Sequence, residues 1–74
     1  MKYTVVIERT SNNYAAYVPD LPGCVATAGT RKEVLKEIRE AIEFHIEGMR
    51  EDGEPVPEPH TTAAVVDAAV TAVG

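Results

Sequence analysis

One long amphipathic segment constrains the fold of this 74-residue chain more than any other feature. Thr30 and Glu33 have the spacing of a capping box, in which the threonine hydroxyl accepts from a free helix amide and the glutamate reaches back. Gly53 predicts the end of the helix, because glycine readily adopts the left-handed conformation that follows a C-cap. The pattern therefore predicts one helix over residues 30–52. Its apolar residues recur at steps of three and four and form a single stripe, made of Val34, Leu35, Ile38, Ala41, Ile42, Ile46 and Met49.

Short segments rich in β-branched and aromatic residues predict strands on either side of this helix. Residues 2–8 and 14–18 are predicted to pair as an antiparallel hairpin around a polar turn at residues 9–13. Residues 24–28 are predicted to form a third strand. A fourth strand is predicted over residues 62–70, although the alanines of that segment also allow a helix.

These elements predict an α+β fold, a small βββαβ domain that occupies residues 1–74 as one unit. The helix is a right-handed crossover that covers one face of a three-stranded antiparallel sheet. The other face carries apolar groups from Val6 or from alternate residues of the second strand, depending on the register, and is a candidate interface. A core this small is marginal and has no disulfide to support it, which predicts a homo-oligomer.

Charge and composition exclude several classes of function. The net charge is −5, with seven Lys and Arg residues against twelve Asp and Glu residues. Nucleic-acid binding needs a basic surface, so a direct nucleic-acid partner is not expected, whereas a basic protein partner is. The longest apolar stretch is too short to cross a membrane, and a lone Cys24 fits the reducing cytoplasm. His45 and His60 lie far apart in sequence, so no metal or cofactor is predicted.

The outer side of the predicted helix is the first candidate partner-binding surface. Phe44 lies outside the apolar stripe, and a large ring among carboxylates can anchor a basic partner while the acids steer its approach. The alternative is a solvated acidic face with Phe44 tucked under the edge of the sheet. The candidate residues on this side are Glu37, Glu40, Phe44, Glu47 and Glu51.

The loop between the second and third strands is the second candidate surface. Its two prolines leave it little freedom to lose on binding, which favours a recognition element. The alternative is a sharp structural connection between strands. The candidate residues in this loop are Pro19, Asp20, Leu21 and Pro22.

Three segments together resemble a known family. The sequence YVPDLPGC at residues 17–24, the helix opened by Thr30 and the sequence EDGEPVPEP at residues 51–59 are similar in order and spacing to HicB antitoxins. The resemblance implies a degenerate, partial ribonuclease H-like fold and an antitoxin of a type II toxin-antitoxin system. Its partner would be HicA, a small basic toxin that cleaves messenger RNA. Many HicB antitoxins also carry a DNA-binding module, but neither a basic segment nor a second helical pattern follows Pro59.

Two alternative functions remain open beside the antitoxin. An orphan HicB-like oligomeric binding protein would have the same sequence features and no toxin. A ribonuclease H-like nuclease would need several carboxylates around paired divalent metals, and only Glu8 and Asp67 lie on predicted strands. That number is too small, so we expect a binding protein and not an enzyme, with no catalytic residues.

Overall fold

The computed structural model describes residues 1–71 and shows a three-stranded antiparallel sheet with one helix. Strand β1 spans Val6–Arg9, β2 spans Tyr14–Tyr17 and β3 spans Val25–Ala28, and the strands lie in the order β1-β2-β3. Helix α1 spans Arg31–Glu51 and follows β3. The predicted α+β class, with three antiparallel strands and a helix, is confirmed.

A tight polar turn closes the hairpin between β1 and β2. The Thr10 amide donates to the Asn13 carbonyl at 2.9 Å, and the Thr10 hydroxyl accepts from the Asn13 amide at 3.0 Å. A side-chain hydroxyl that bonds the backbone in this way stabilises a turn without help from the rest of the fold. The turn sets the register, in which Val6 lies opposite Tyr17.

Strand β1 begins four residues later than the sequence pattern predicts. Its partner β2 ends at Tyr17, after which Val18 begins the Pro-rich loop and donates its amide to the Cys24 carbonyl on the β3 side at 3.1 Å. Residues 1–5 therefore extend past the end of β2 and have no neighbouring strand within the described part of the chain. The apolar pattern of residues 2–8 was consequently a poor guide to where pairing begins.

Both ends of α1 lie where the capping pattern predicts. Thr30 is the N-cap, with extended backbone, and its hydroxyl accepts from the Glu33 amide at 3.1 Å. Asp52 is the C-cap, and Gly53 follows with φ of +70°, a left-handed conformation that disfavours residues with a Cβ. A side-chain cap therefore sets the start of the helix, and a left-handed glycine sets its end.

The core lies between α1 and one face of the sheet. Val34 and Ile38 are the helix residues that are fully buried, and α1 packs mainly over β2 and β3. Strand residues of the same face alternate into this layer, as expected for a sheet covered on one side. The buried apolar residues are Ala16, Val18, Leu21, Cys24, Val34 and Ile38.

The structure corrects the prediction of a fourth strand over residues 62–70. Within residues 1–71 the sheet has three strands, and residues 62–71, which we call the arm, carry no regular secondary structure. The arm is exposed along its whole length and pairs with no strand of its own chain. Apolar, β-branched composition alone does not form a strand, since a strand is stabilised by its neighbours.

Candidate partner-binding site

An exposed aromatic ring lies among carboxylates on the outer side of α1. Phe44 is 80% exposed, so the alternative in which its ring tucks under the sheet is wrong. The neighbouring glutamates stand three, four or seven residues away, a spacing that brings side chains to the same side of a helix. We call this surface the acidic face, and its residues are Glu37, Glu40, Phe44, Glu47 and Glu51.

Negative charge predominates over the C-terminal half of α1 and its C-cap. From Glu40 to the C-cap Asp52 the chain carries five carboxylates and a single arginine, Arg50. In the part of the chain that the structure describes, the one side-chain ion pair joins Asp20 and His60, away from these glutamates. Like charges spaced four apart destabilise a helix slightly, and a cationic partner would relieve that repulsion.

The Pro-rich loop is largely a structural element. Leu21 is fully buried and Asp20 is 5% exposed, so neither side chain lies where a partner can reach it directly. Leu21 also accepts from Cys24 and donates to Val18 through its backbone, which closes the loop tightly. Of the predicted loop residues, Pro22 is exposed and Pro19 is half-buried. The structure thus corrects the expectation that Asp20 and Leu21 present a recognition surface.

Asp20 instead holds the C-terminal segment against the sheet and α1, which together we call the body. Its carboxylate accepts from the amides of His60 and Thr61 at 2.9 and 3.0 Å, and from the Thr61 hydroxyl at 2.5 Å. The His60 ring nitrogen Nε2 lies 3.2 Å from the second carboxylate oxygen. We call Asp20, His60 and Thr61 the Asp20 clasp. A buried carboxylate is tolerated because donors surround it.

These bonds change the acidity of Asp20. The hydroxyl and amide of Thr61, followed by the His60 amide and ring, stabilise the charged carboxylate and outweigh its desolvation, which lowers the pKa of Asp20 from 3.8 to about 2. Asp20 is therefore charged at neutral pH, which is the form that these donors stabilise. Sequence reasoning missed it because Asp20 and Thr61 are 41 residues apart. The available signal was an aspartate in an otherwise apolar loop, which needs donors if it is buried.

The uncovered face of the sheet carries a second exposed apolar feature. The register, which the sequence left open, places Val6, Tyr17 and Val25 in one row across the three strands. Tyr17 is 42% exposed and Val25 is 64% exposed. This sheet row is separate from the acidic face, because α1 packs on the opposite side of the sheet.

The carboxylates considered for a nuclease site are not brought together. Glu8 is exposed on β1, whereas Asp67 lies in the arm and not on a strand. Among residues 1–71, no group of three or more His, Cys, Asp and Glu side chains has the arrangement to hold a metal ion.

Burial raises the pKa of the Cys24 thiol, which disfavours the reactive thiolate. No helix within this part of the chain is both long and apolar enough to span a bilayer.

Comparison with known proteins assigns this chain to a family. The family described as HicB-like antitoxin of bacterial toxin-antitoxin systems matches residues 3–71, nearly the whole chain. The chain belongs to this family. The resemblance of the YVPDLPGC segment, the capped helix and the proline-rich segment to HicB antitoxins is thereby confirmed.

Relatives of this HicB-like chain occur in a phage and in an archaeon. An uncharacterised 14.9 kDa protein from the rep-hol intergenic region of Haemophilus phage HP1 is 45% identical over 58 residues, which make up 78% of this chain and 44% of the phage protein. The chain thus spans less than half the length of that relative. A UPF0150 protein of Thermoplasma acidophilum is 39% identical over 69 residues, which make up 92% of this chain and all of the relative.

A solved structure supports the same assignment. A chain of the HicA3 and HicB3 toxin-antitoxin complex matches with a TM-score of 0.70 and 32% sequence identity, over 81% of this chain and 70% of that one. The family match and this structural match together give the HicB-like chain an antitoxin-type fold.

Proposed function

We propose that this HicB-like chain is an antitoxin that binds and neutralises a small basic toxin of the HicA type in the cytoplasm, without catalysing a reaction. Membership of the antitoxin family and the likeness to a chain of a HicA3 and HicB3 complex support this role. The observation that carries the proposal is the acidic face, where Phe44 is 80% exposed among unpaired glutamates.

The acidic face offers the two components of a protein interface. A phenylalanine ring contributes about 1.5–3 kcal/mol when it passes from water into a fitted pocket. The surrounding glutamates accelerate encounter with a cationic protein and become charge-paired when it binds. We expect the ring to supply most of the affinity and the carboxylates most of the association rate.

Binding to the protein encoded beside this one tests the proposal. The HicB-like chain and its Phe44→Ala variant are titrated against that purified small basic protein by isothermal titration calorimetry. We expect tight binding by the parent chain and a loss of affinity of about 10- to 100-fold in the variant, as for an anchor residue at an interface. Because Phe44 lies outside the core, circular dichroism of the variant is expected to match that of the parent.

Tyr17→Ala provides the matched control, because it removes an exposed aromatic ring from the sheet row. We expect it to bind as the parent chain does. If Tyr17→Ala loses affinity and Phe44→Ala does not, the interface lies on the sheet and the acidic face is not the binding surface. If the neighbouring protein does not bind at all, the chain is an orphan HicB-like binding protein and the antitoxin proposal fails.

A further inference from the structure

The apolar stripe of α1 is longer than the layer that covers it. Its two fully buried residues, Val34 and Ile38, both lie in the first half of the helix. The next two isoleucines of the stripe, Ile42 and Ile46, are only half-buried, although isoleucine is among the residues most often fully buried. The stripe is therefore left partly open to solvent in the second half of α1.

An open cavity lies over this part of the stripe. It has a volume of about 690 Å³ and lies between α1 and the N-terminal segment, residues 1–5. Tyr3 belongs to the second wall, and its hydroxyl donates to the Pro57 carbonyl at 2.6 Å, which holds the wall in place. We call this the Ile46 cavity. Its apolar lining comprises Met1, Tyr3, Ile42 and Ile46.

The charged groups of the Ile46 cavity are mainly carboxylates. Three glutamates line it, against one cationic side chain, Arg50, and carboxylates remain in excess when the Met1 amino group is counted as a second cation. In the part of the chain that the structure describes, these glutamates have no cationic side chain within ion-pair distance. They follow one another at four-residue steps, so they form one row along α1. The three are Glu43, Glu47 and Glu51.

The Ile46 cavity adjoins the acidic face. Glu47 and Glu51 belong to both surfaces, because they line the cavity and also flank Phe44. By helical spacing Glu47 lies between Ile46 and Phe44 around the helix. A partner that covers the acidic face therefore reaches the rim of the cavity.

We propose that the Ile46 cavity receives a lysine or arginine side chain of the same basic partner, with its aliphatic stem against Ile42 and Ile46 and its charged head among the three glutamates. This inference rests on the proposed function and adds a second subsite to the acidic face. Lysine and arginine bury their stems on apolar surfaces while their charged heads stay at the rim. An apolar floor with carboxylates at its edge is complementary to such a side chain.

Charge disfavours other occupants of the Ile46 cavity. A wholly apolar side chain would desolvate the carboxylates without giving them a partner. A second copy of this chain would bring a net charge of −5 towards them. The adjoining cavity, of about 520 Å³, has the opposite balance, with Lys2 and Arg39 against Glu43, so a basic side chain fits the Ile46 cavity better.

Reversal of one rim charge tests the proposal against a control with the same change in net charge. Glu43→Lys alters the rim, whereas Glu8→Lys alters an exposed carboxylate on β1, outside both the cavity and the acidic face. The parent and both variants are titrated by isothermal titration calorimetry against the purified small basic protein encoded beside this one. Both glutamates are exposed, so we expect the circular dichroism melts of the variants to match that of the parent.

The two variants are expected to differ in affinity although they carry the same net charge. Glu8→Lys loses only long-range attraction, so we expect its binding to weaken by about threefold or less. Glu43→Lys also places a cation where the partner's cation would lie, and we expect its binding to weaken by about 10- to 100-fold. Equal losses in the two variants would overturn the subsite.

The Phe44→Ala variant separates this inference from the proposed function. If Phe44→Ala weakens binding and Glu43→Lys behaves as Glu8→Lys does, the subsite fails and the antitoxin proposal stands. If Glu43→Lys weakens binding and Phe44→Ala does not, the subsite stands and Phe44 is not the anchor. A basic protein that does not bind the parent chain removes the partner and overturns both.

Methyl resonances of the parent chain give a second readout that needs no variant. We expect the Ile42 and Ile46 methyl signals to shift when the basic protein is added, because the partner's side chain then covers them. The Val25 methyl signals, from the sheet row, are the internal control and are expected to stay in place. Unchanged isoleucine signals in a formed complex would exclude an occupied cavity.

Discussion

The two halves of the C-terminal segment, residues 54–61 and residues 62–71, differ in what holds them. The first half is stiffened by three prolines and is bonded to the body by long-range polar contacts. The Tyr3 hydroxyl donates to the Pro57 carbonyl at 2.6 Å, and the Thr4 hydroxyl donates to the Thr61 carbonyl at 2.5 Å. The second half has valines and no such bond. In this protein, buried polar groups position the segment and apolar composition alone does not.

Removal of the Asp20 carboxylate is expected to lower the stability of the fold more than any other change to the C-terminal segment. Asp20→Ala leaves two amides and a hydroxyl without their acceptor, so the first half should become as free as the arm. We expect the melting temperature to fall by about 10 °C, measured by circular dichroism. Asp20→Asn, which keeps one acceptor oxygen, should lie between. An Asp20→Ala chain that melts with the parent would show that the clasp does not stabilise the fold.

Acid should weaken the same contacts without a mutation. The pKa of Asp20 is lowered to about 2 in the folded chain from 3.8, so the unfolded chain takes up the proton at higher pH. The stabilisation is complete above pH 4 and is lost as the pH falls from about 4 to 2. Thermal melts across this range should show a drop in the parent that is smaller in Asp20→Asn. If the melting temperatures of the parent and Asp20→Asn fall equally with pH, a group other than Asp20 causes the loss of stability in acid.

Loss of a single donor should have an intermediate effect. Thr61→Val removes the hydroxyl that contributes most to the lowered pKa of Asp20 and keeps the shape of the side chain. We expect a fall in melting temperature of about 5 °C. We also expect the acid transition to move to higher pH, because Asp20 then holds its charge less strongly. Thr62→Val, in the exposed first residue of the arm, is the control and should change neither quantity.

Shortening a side chain of the arm should have the smallest effect on the body. Val70→Ala removes atoms that are already in water, so no burial is lost within one chain. In dilute solution, where copies are separate, we expect the melting temperature to change by less than about 2 °C. A larger change at the same dilution would mean that the arm packs on its own body, which would erase the difference between the two halves.

Local signals in the sequence predicted most of the fold. The capping threonine, the stop at Gly53 and the apolar stripe located α1 within a residue at each end. These signals depend on neighbours within one or two turns, which a sequence displays directly. The place of Phe44 among glutamates followed from the same helical spacing, and the structure shows all five side chains of the acidic face exposed.

Long-range contacts account for what the sequence could not predict. The end of β2 at Tyr17 decides where β1 begins, and no property of residues 2–8 reports that end. The burial of Asp20 depends on donors 40 and 41 residues away, and an aspartate is ordinarily expected at the surface. The arm has the composition of a strand, but strand formation requires an adjacent edge.

The last hydrogen bond that ties the C-terminal segment to the body lies at Thr61. This residue marks a natural joint, beyond which residues 62–71 can change without loss of a hydrogen bond to the body. The same joint is a sound position for attaching a fluorescent label or a fused domain.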